Sequence, residues 1–250
     1  MTFDEIMLKI KTQLARDLNC APEDLDRAEN VITPVRAVEG RRTFSPEPPF
    51  FQAATFGGNA VFCADERLRP WLAEWARVKK GFWLFEQPNW FALDRELEKY
   101  GLRTSSAHHM FAPLPGPVAA KPNFPVRWLE QEEIAPFYGR AEFSNALCDR
   151  FHPERPDVLA VAALDGEAVV GMAGCSADAP GFWQIGVDVL PEYRRRGTAT
   201  ALVSLLRNEV FRRGALPYYG TSPANIASKR VALASGFVPA WVEAESREIE

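Results

Sequence analysis

Long apolar runs are missing from these 250 residues. No stretch approaches the roughly 20 apolar residues a helix needs to cross a bilayer, so no membrane partner is expected. A field of one charge sign is missing too. With 29 Lys and Arg against 33 Asp and Glu, the formal net charge is -4. The cations are scattered, which argues against a nucleic-acid partner. Cysteine is scarce: Cys20, Cys63, Cys148 and Cys175 include no C-x-x-C pair. Free buried thiols are expected, rather than a zinc site or a disulfide framework. His108 and His109 are adjacent and would face opposite sides of a strand, so no metal pair is expected. The start, Met1-Thr2-Phe3-Asp4-Glu5, is acidic and has no signal-peptide core, from which a cytoplasmic address is expected.

What is present suits one large domain or two small ones. Hydrophobic residues make up 47% and charged residues 25%, an ordinary globular balance. Prolines interrupt the chain at Pro113-Leu114-Pro115-Gly116-Pro117 and Lys121-Pro122-Asn123-Phe124-Pro125. Proline fixes φ and removes a backbone donor, so regular structure should not run through here. This divides the chain into an N-terminal α/β domain of unknown role (1–116), a Pro-rich linker (117–123) and a C-terminal domain (124–250). In the first half, Phe3, Ile6, Met7, Ile10 and Leu14 recur at the helical period. Residues 59–63 read as a buried strand, and 65–78 as a helix presenting Leu68, Trp71, Leu72 and Trp75. An apolar run follows at 82–85, then a helix near 89–100 stopped at Gly101, then a strand from His108 to Phe111. The aromatics here are read as core.

The second half is more regular. Residues 157–164 form a strand, Asp165-Gly166 signals a hairpin turn, and 168–176 return as the partner. Trp183 to Leu190 supplies a third strand, so an antiparallel meander is expected. Next come Pro191, Glu192, Tyr193 and Arg194-x-x-Gly197-x-Ala199. The period then turns helical through Ala199, Leu202, Val203, Leu206 and Val210, ending at Gly214. A strand over 216–221, a helix from Asn225 to Ser235 and a last strand from Phe237 complete a mixed α/β (α+β) fold.

The loop from Arg194 to Ala199 makes an anion site on physical grounds. Backbone N–H groups at a helix N-terminus converge where the macrodipole favours negative charge. Gly197 lets a phosphate approach the backbone, and Ala199 keeps the first turn small. Arg194, Arg195 and Arg196 add positive potential at the rim. Taken alone, the hexamer reads more simply as a solvated Arg run ahead of a helix. It lacks the Gly-Lys-Ser/Thr that holds a metal in a P-loop, so nucleotide hydrolysis is not indicated.

The order of elements changes that reading. Val187-Asp188-Val189-Leu190-Pro191-Glu192-Tyr193-Arg194-Arg195-Arg196-Gly197-Thr198-Ala199, then Asn225-Ile226-Ala227-Ser228 and Gly236-Phe237, resemble the Gcn5-related N-acetyltransferase (GNAT) superfamily over about half of the chain, residues 124–250. The whole chain resembles a two-domain bacterial subgroup whose C-terminal pattern is here Pro217, Tyr219, Asn225, Ser228, Gly236, Phe237, Pro239, Ala240 and Trp241. The resemblance implies a twisted mixed sheet, splayed between its fourth and fifth strands, with acetyl-CoA or another acyl-CoA in the cleft. It implies the pyrophosphate on the N–H groups of Arg195 to Ala199 and the pantetheine arm along the backbone of Val187 to Val189. Asn225 would bond the pantetheine, and Ser228 would lie near the phosphates. Asn225 also reads as an ordinary N-cap, and both roles can hold together.

Acyl transfer to an amine needs a neutral amine, a polarised thioester carbonyl and a proton for the leaving thiolate. A backbone N–H near Val189 is expected to polarise the carbonyl. Candidates for the base are Asp188, Glu142 and His152, each of which also reads as a solvated or structural group. A base acting through ordered water stays open. Many superfamily members carry a Tyr seven residues after the motif Asn, and that position here is Ala232. Tyr219, just before Gly220, is the first substitute for the acid, with Tyr218 and Ser222 behind it. The expected function is acetyl transfer to a primary amine of a small-molecule or amino-acid-like acceptor. A protein N-terminal or lysine acetyltransferase stays open. So does a non-catalytic acyl-CoA-binding regulatory module, which Ala232 keeps alive. Exposed edges of the splayed sheet leave a homodimer open.

Overall fold

The computed structural model describes residues 1–44 and 47–249. The first elements are α1 (Phe3–Asp17), β1 (Val31–Pro34), β2 (Phe51–Thr55), β3 (Ala60–Ala64), α2 (Arg69–Arg77), α3 (Gln87–Leu97), β4 (Leu102–Thr104) and β5 (His108–Pro113). There follow β6 (Val126–Glu130), α4 (Gln131–Ile134), β7 (Asp157–Asp165), β8 (Ala168–Ala179) and β9 (Phe182–Val189). The chain closes with α5 (Thr198–Arg212), β10 (Leu216–Thr221), α6 (Ile226–Ala234) and β11 (Phe237–Glu248). No described helix is long and apolar enough to cross a membrane. The chain forms two compact units. One comprises Met1–Ile6, Phe111–Thr221 and Asn225–Val238; the other comprises Met7–Met110, Ser222–Ala224 and the described residues from Pro239 onward.

In the first unit, β6, β7, β8 and β9 form an antiparallel meander, and β10 joins β9 in parallel. The sheet is therefore mixed. Strand β7 is buried on both faces, which explains its unbroken apolar run. Leu159, Val161 and Ala163 face α5, where Leu202, Val203, Leu206 and Val210 complete a core with Ile185, Tyr219 and Phe237. Ala160 and Ala162 face a second cluster with Leu129, Ile134, Phe137, Phe143, Leu147 and Met172. Burial of each large apolar side chain of α5 is worth about 1.5–3 kcal/mol. The β9–β10 register runs from Phe182↔Leu216 to Ile185↔Tyr219. The residues of β9 from Gly186 to Val189 lie beyond the last pair, so the sheet splays there.

The Pro-rich stretch is not a loose connection. Prolines lack N–H donors, so side chains from α5 hold it instead. Arg207, fully buried, donates to the carbonyls of Leu114 and Gly116. Burial pushes its pKa down to about 10, and the carbonyls offset part of that desolvation cost. Asn208 accepts from Val118 N at 3.0 Å and donates to Val118 O at 2.8 Å. Leu114 N donates to Gly236 O at 2.8 Å. Residues 114–125 thus form a strap along α5.

In the second unit, β1 pairs with β3 in parallel, β3 with β2, and β2 with the distal half of β11, through Val242–Glu245. β4 pairs with the end of β11. Helices α2 and α3 bury Leu72, Ala76, Leu93 and Leu97 against Phe51 and Phe62. Buried Arg42 donates to both oxygens of Glu243 at 3.0 and 2.8 Å and to Asp17 at 2.6 Å.

Several expectations need adjustment. The helix expected over 65–78 is the shorter α2, because Pro70 suits only a first turn. The apolar run at 82–85 is part of a 3-10 turn, Gly81–Phe85. Strands β1, β2, β4 and β6 were not read from the sequence; all four have five residues or fewer, and β1, β4 and β6 have partly exposed faces. The described residues of β11 from Pro239 onward cluster with the second unit, since they pair with β2 and β4.

Candidate functional site

The candidate site begins where β9 runs into α5. A 3-10 turn, Pro191–Tyr193, reverses the chain. Arg195 then adopts φ +60 and Gly197 φ +83, both left-handed. Gly197 is the N-cap of α5, and an added Cβ there would meet nothing within 4 Å. The space above this backbone is open, although the positive φ favours glycine. The first intrahelical bond runs from Ala201 N to Gly197 O. The N–H groups of Thr198, Ala199 and Thr200 therefore have no partner within the helix. Left-handed Gly197 followed by helical Thr198 turns successive N–H groups to one side, a backbone arrangement of the kind that can receive an anion. Arg194, Arg195 and Arg196 are exposed around it, while the Thr198 side chain is buried.

Beside the loop lies the open edge of β9. Leu190 N donates to Val170 O of β8 at 2.9 Å. By the alternation of an antiparallel ladder, Val187 and Val189 turn their backbone groups away from β8. They lie past the last pair with β10. The Val189 carbonyl accepts from Arg194 Nε at 2.8 Å, which joins this edge to the loop.

Even-numbered residues of β9 face the other side. Asp188 accepts from Asn145 N at 2.7 Å, Asn145 Nδ2 at 2.7 Å and Ala146 N at 2.9 Å. It ties down the segment after the 3-10 turn Ala141–Phe143, on which Glu142 stands exposed. His152 is partly exposed and bonds Asp149 at 2.9 Å. These three base candidates therefore do not converge with one another through hydrogen bonds.

Tyr219, on β10, is buried and shares a hydrogen bond with Ser228 Oγ at 2.8 Å. Burial raises its phenol pKa, with Asp188 adding to the rise and the Ser228 bond opposing it. Ser228 and Ala232 lie four residues apart, on one face of α6. Ala232 is fully buried in the same core as Tyr219. Asn225 caps α6, its Oδ1 accepting from Ser228 N at 3.0 Å. Tyr218 leaves the opposite face of β10 and bonds Asp178 and, at 3.4 Å, Gln184. Ser222 is half-buried past the end of β10.

Sequence reasoning missed three contributors. Gly174 and Gly186 are cross-strand partners. An added Cβ would lie 2.3 Å from Ala146 O at the first and 1.8 Å from Asn145 O at the second. Paired glycines thus let the Asn145–Ala146 backbone press on the sheet. Asn123 bonds the anion loop directly. Glycine in the interior of each of two strands was a legible signal of close backbone approach; Asn123 carried none.

The model of the Acetyltransferase (GNAT) family matches residues 122–237. No curated protein matches the sequence. Among solved structures, a GNAT-family protein from Novosphingobium aromaticivorans is 20% identical, with TM-score 0.46, over 60% of this chain and 69% of that one. A GCN5-related N-acetyltransferase-like protein from Streptococcus suis is 19% identical, with TM-score 0.46, over 65% and 69%. A GCN5-related N-acetyltransferase from Kribbella flavida is 20% identical, with TM-score 0.45, over 64% of each chain. With the family model spanning the meander, the anion loop and α6, residues 122–237 form a domain of the acetyltransferase (GNAT) family.

Proposed function

We propose that this chain is an acetyl-CoA-dependent N-acetyltransferase acting on a primary amine of a small-molecule or amino-acid-like acceptor. One observation carries the reading: an open cluster of backbone N–H groups at the start of α5 adjoins the unpaired edge of β9. The pyrophosphate would sit on the N–H groups of Arg195 to Ala199, ringed by the three arginines. The pantetheine arm would extend along Val187 and Val189 as an added strand, with Asn225 at its flank. The Val189 N–H would polarise the thioester carbonyl.

The amine attacks this carbonyl, and the C–S bond breaks as the tetrahedral intermediate collapses. Tyr219, its proton retained by burial, would donate to the departing thiolate and recover a proton through Ser228. It takes the place left by Ala232. Asp188 has its oxygens engaged by three N–H donors; its proposed role is to position the Asn145 segment. Glu142, directly or through water, is the proposed base. The same reading has a cytoplasmic enzyme with no nucleic-acid partner. A homodimer through a sheet edge is tested by light scattering.

The decisive experiment measures CoA binding by calorimetry and thiol release from acetyl-CoA with a panel of amines. Gly197→Glu should abolish CoA binding while the circular dichroism spectrum stays unchanged, because it places bulk and negative charge where phosphate belongs. Undiminished affinity in that variant would sink the cofactor assignment. Tight CoA binding without turnover on any amine would favour a non-catalytic acyl-CoA-binding module.

A further inference from the structure

Asn123 lies in the strap, outside every helix and strand, and the cofactor reading assigns it no role. Its side chain grips the anion loop twice. Nδ2 donates to the Arg196 carbonyl at 3.1 Å, and Oδ1 accepts from Thr198 Oγ1 at 3.3 Å. The next residue, Phe124, packs edge-on against Tyr193 with ring centroids 5.6 Å apart. The Arg196 guanidinium lies over the same Tyr193 ring at 5.5 Å and donates to Glu192 O at 3.0 Å. Two consecutive strap residues thus hold both the turn before the loop and the peptide that opens α5.

In a trans peptide, the carbonyl of residue 196 and the N–H of residue 197 point in opposite directions. A hydrogen bond that draws the Arg196 carbonyl toward the strap therefore aims the Gly197 N–H away from it. The Thr198 hydroxyl, tied to the same amide, fixes the first residue of α5, whose N–H is the next donor. The left-handed conformation of Arg195 is disfavoured for a residue with a Cβ, so a loop without this support would leave it readily. We propose that Asn123 is a positioning residue that holds the Arg196–Thr198 backbone in the geometry that receives the acyl-CoA pyrophosphate. This rests on the cofactor reading above. On this proposal the strap that arrives from the Pro-rich stretch is part of the cofactor site through its hold on the loop.

The test compares wild type, Asn123→Ala, Thr198→Val and Asn208→Ala, the last of which loosens the strap at Val118 and removes an acceptor from Arg207 Nη1, without touching the Asn123 bonds. CoA affinity is read by titration calorimetry, folding by thermal melting, and turnover with an amine from the panel above. Asn123→Ala should weaken CoA binding about tenfold and raise KM for acetyl-CoA equally, with kcat and melting temperature unchanged. Thr198→Val, which loses one of the two bonds, should fall between. Asn208→Ala should lower the melting temperature and leave CoA affinity intact. Unchanged affinity in Asn123→Ala, or an equal loss in Asn208→Ala, overturns the proposal. A wild-type chain that does not bind CoA overturns the cofactor reading first and this inference with it.

Discussion

Tyr218 and Tyr219 are neighbours on β10, so their side chains leave opposite faces of the sheet. Tyr218 stacks on Phe182 with centroids 4.3 Å apart and bonds Asp178, all within the sheet's far side. Tyr219 reaches Ser228 on α6. Tyr219→Phe keeps the ring and removes only the hydroxyl. Its kcat should fall about 100-fold, as for loss of a general acid, while CoA affinity stays the same; a kcat near wild type would remove Tyr219 from the chemistry. Stability should drop by only about 1 kcal/mol, the net worth of one hydrogen bond. Asp188 gives the opposite pattern. Asp188→Asn turns an amide toward N–H donors and should cost about 1–3 kcal/mol in urea unfolding. Its kcat should change less than tenfold if the carboxylate only positions Asn145. A loss of about 100-fold or more in a folded variant would restore it as the base.

At the scale of elements, the splay of β9 from β10 and the close approach of the Asn145–Ala146 segment meet at Gly186. Parallel pairing stops at Ile185, and the next residue has no Cβ. The segment that Asp188 ties down is thereby seated on the sheet. Gly186→Ala would drive a methyl into the Asn145 carbonyl, so the backbone must move. We expect destabilisation of about 1–3 kcal/mol or more from overpacking, read by chemical denaturation, with Gly174→Ala similar. A neutral result at both positions would show that this segment is not held where it is described.

At the scale of the whole molecule, the four cysteines are unpaired. Burial pushes the Cys20 thiol up to about 12 and the Cys148 thiol to about 11, with burial also raising Cys63 and Cys175. Neighbouring carboxylates add to the rise at Cys20 and Cys148. The sign follows from linkage. A raised folded-state pKa contributes stability that is fully present below the unfolded value of 9.0 and lost as pH rises through about 11 to 12. The melting temperature should therefore fall above about pH 9 and should not respond to dithiothreitol at pH 7. Thiol reagents should label the native protein slowly and all four cysteines after denaturation. Rapid labelling of four thiols in the native state would contradict the burial.

The sequence by itself determined what periodicity and turn chemistry encode locally. It was enough for the β7–β8 hairpin at Asp165-Gly166, for α5 between Gly197 and Gly214, for β10, and for α6 with its Asn225 cap. The turn from Arg194 to Ala199 into α5 was legible because a glycine, a helix start and three arginines lie within one short segment. The tertiary structure alone decided which partners each group meets. Asp188 looked like a free carboxylate until Asn145, far back in the chain, filled its lone pairs. The prolines marked a break in regular structure, but only Arg207 and Asn208 turned that break into a strap. Asn123 reached the loop because the strap runs the length of α5. The physical reason is common to all three: hydrogen-bond donors and acceptors are satisfied by proximity in space, and spacing along the chain carries no record of it.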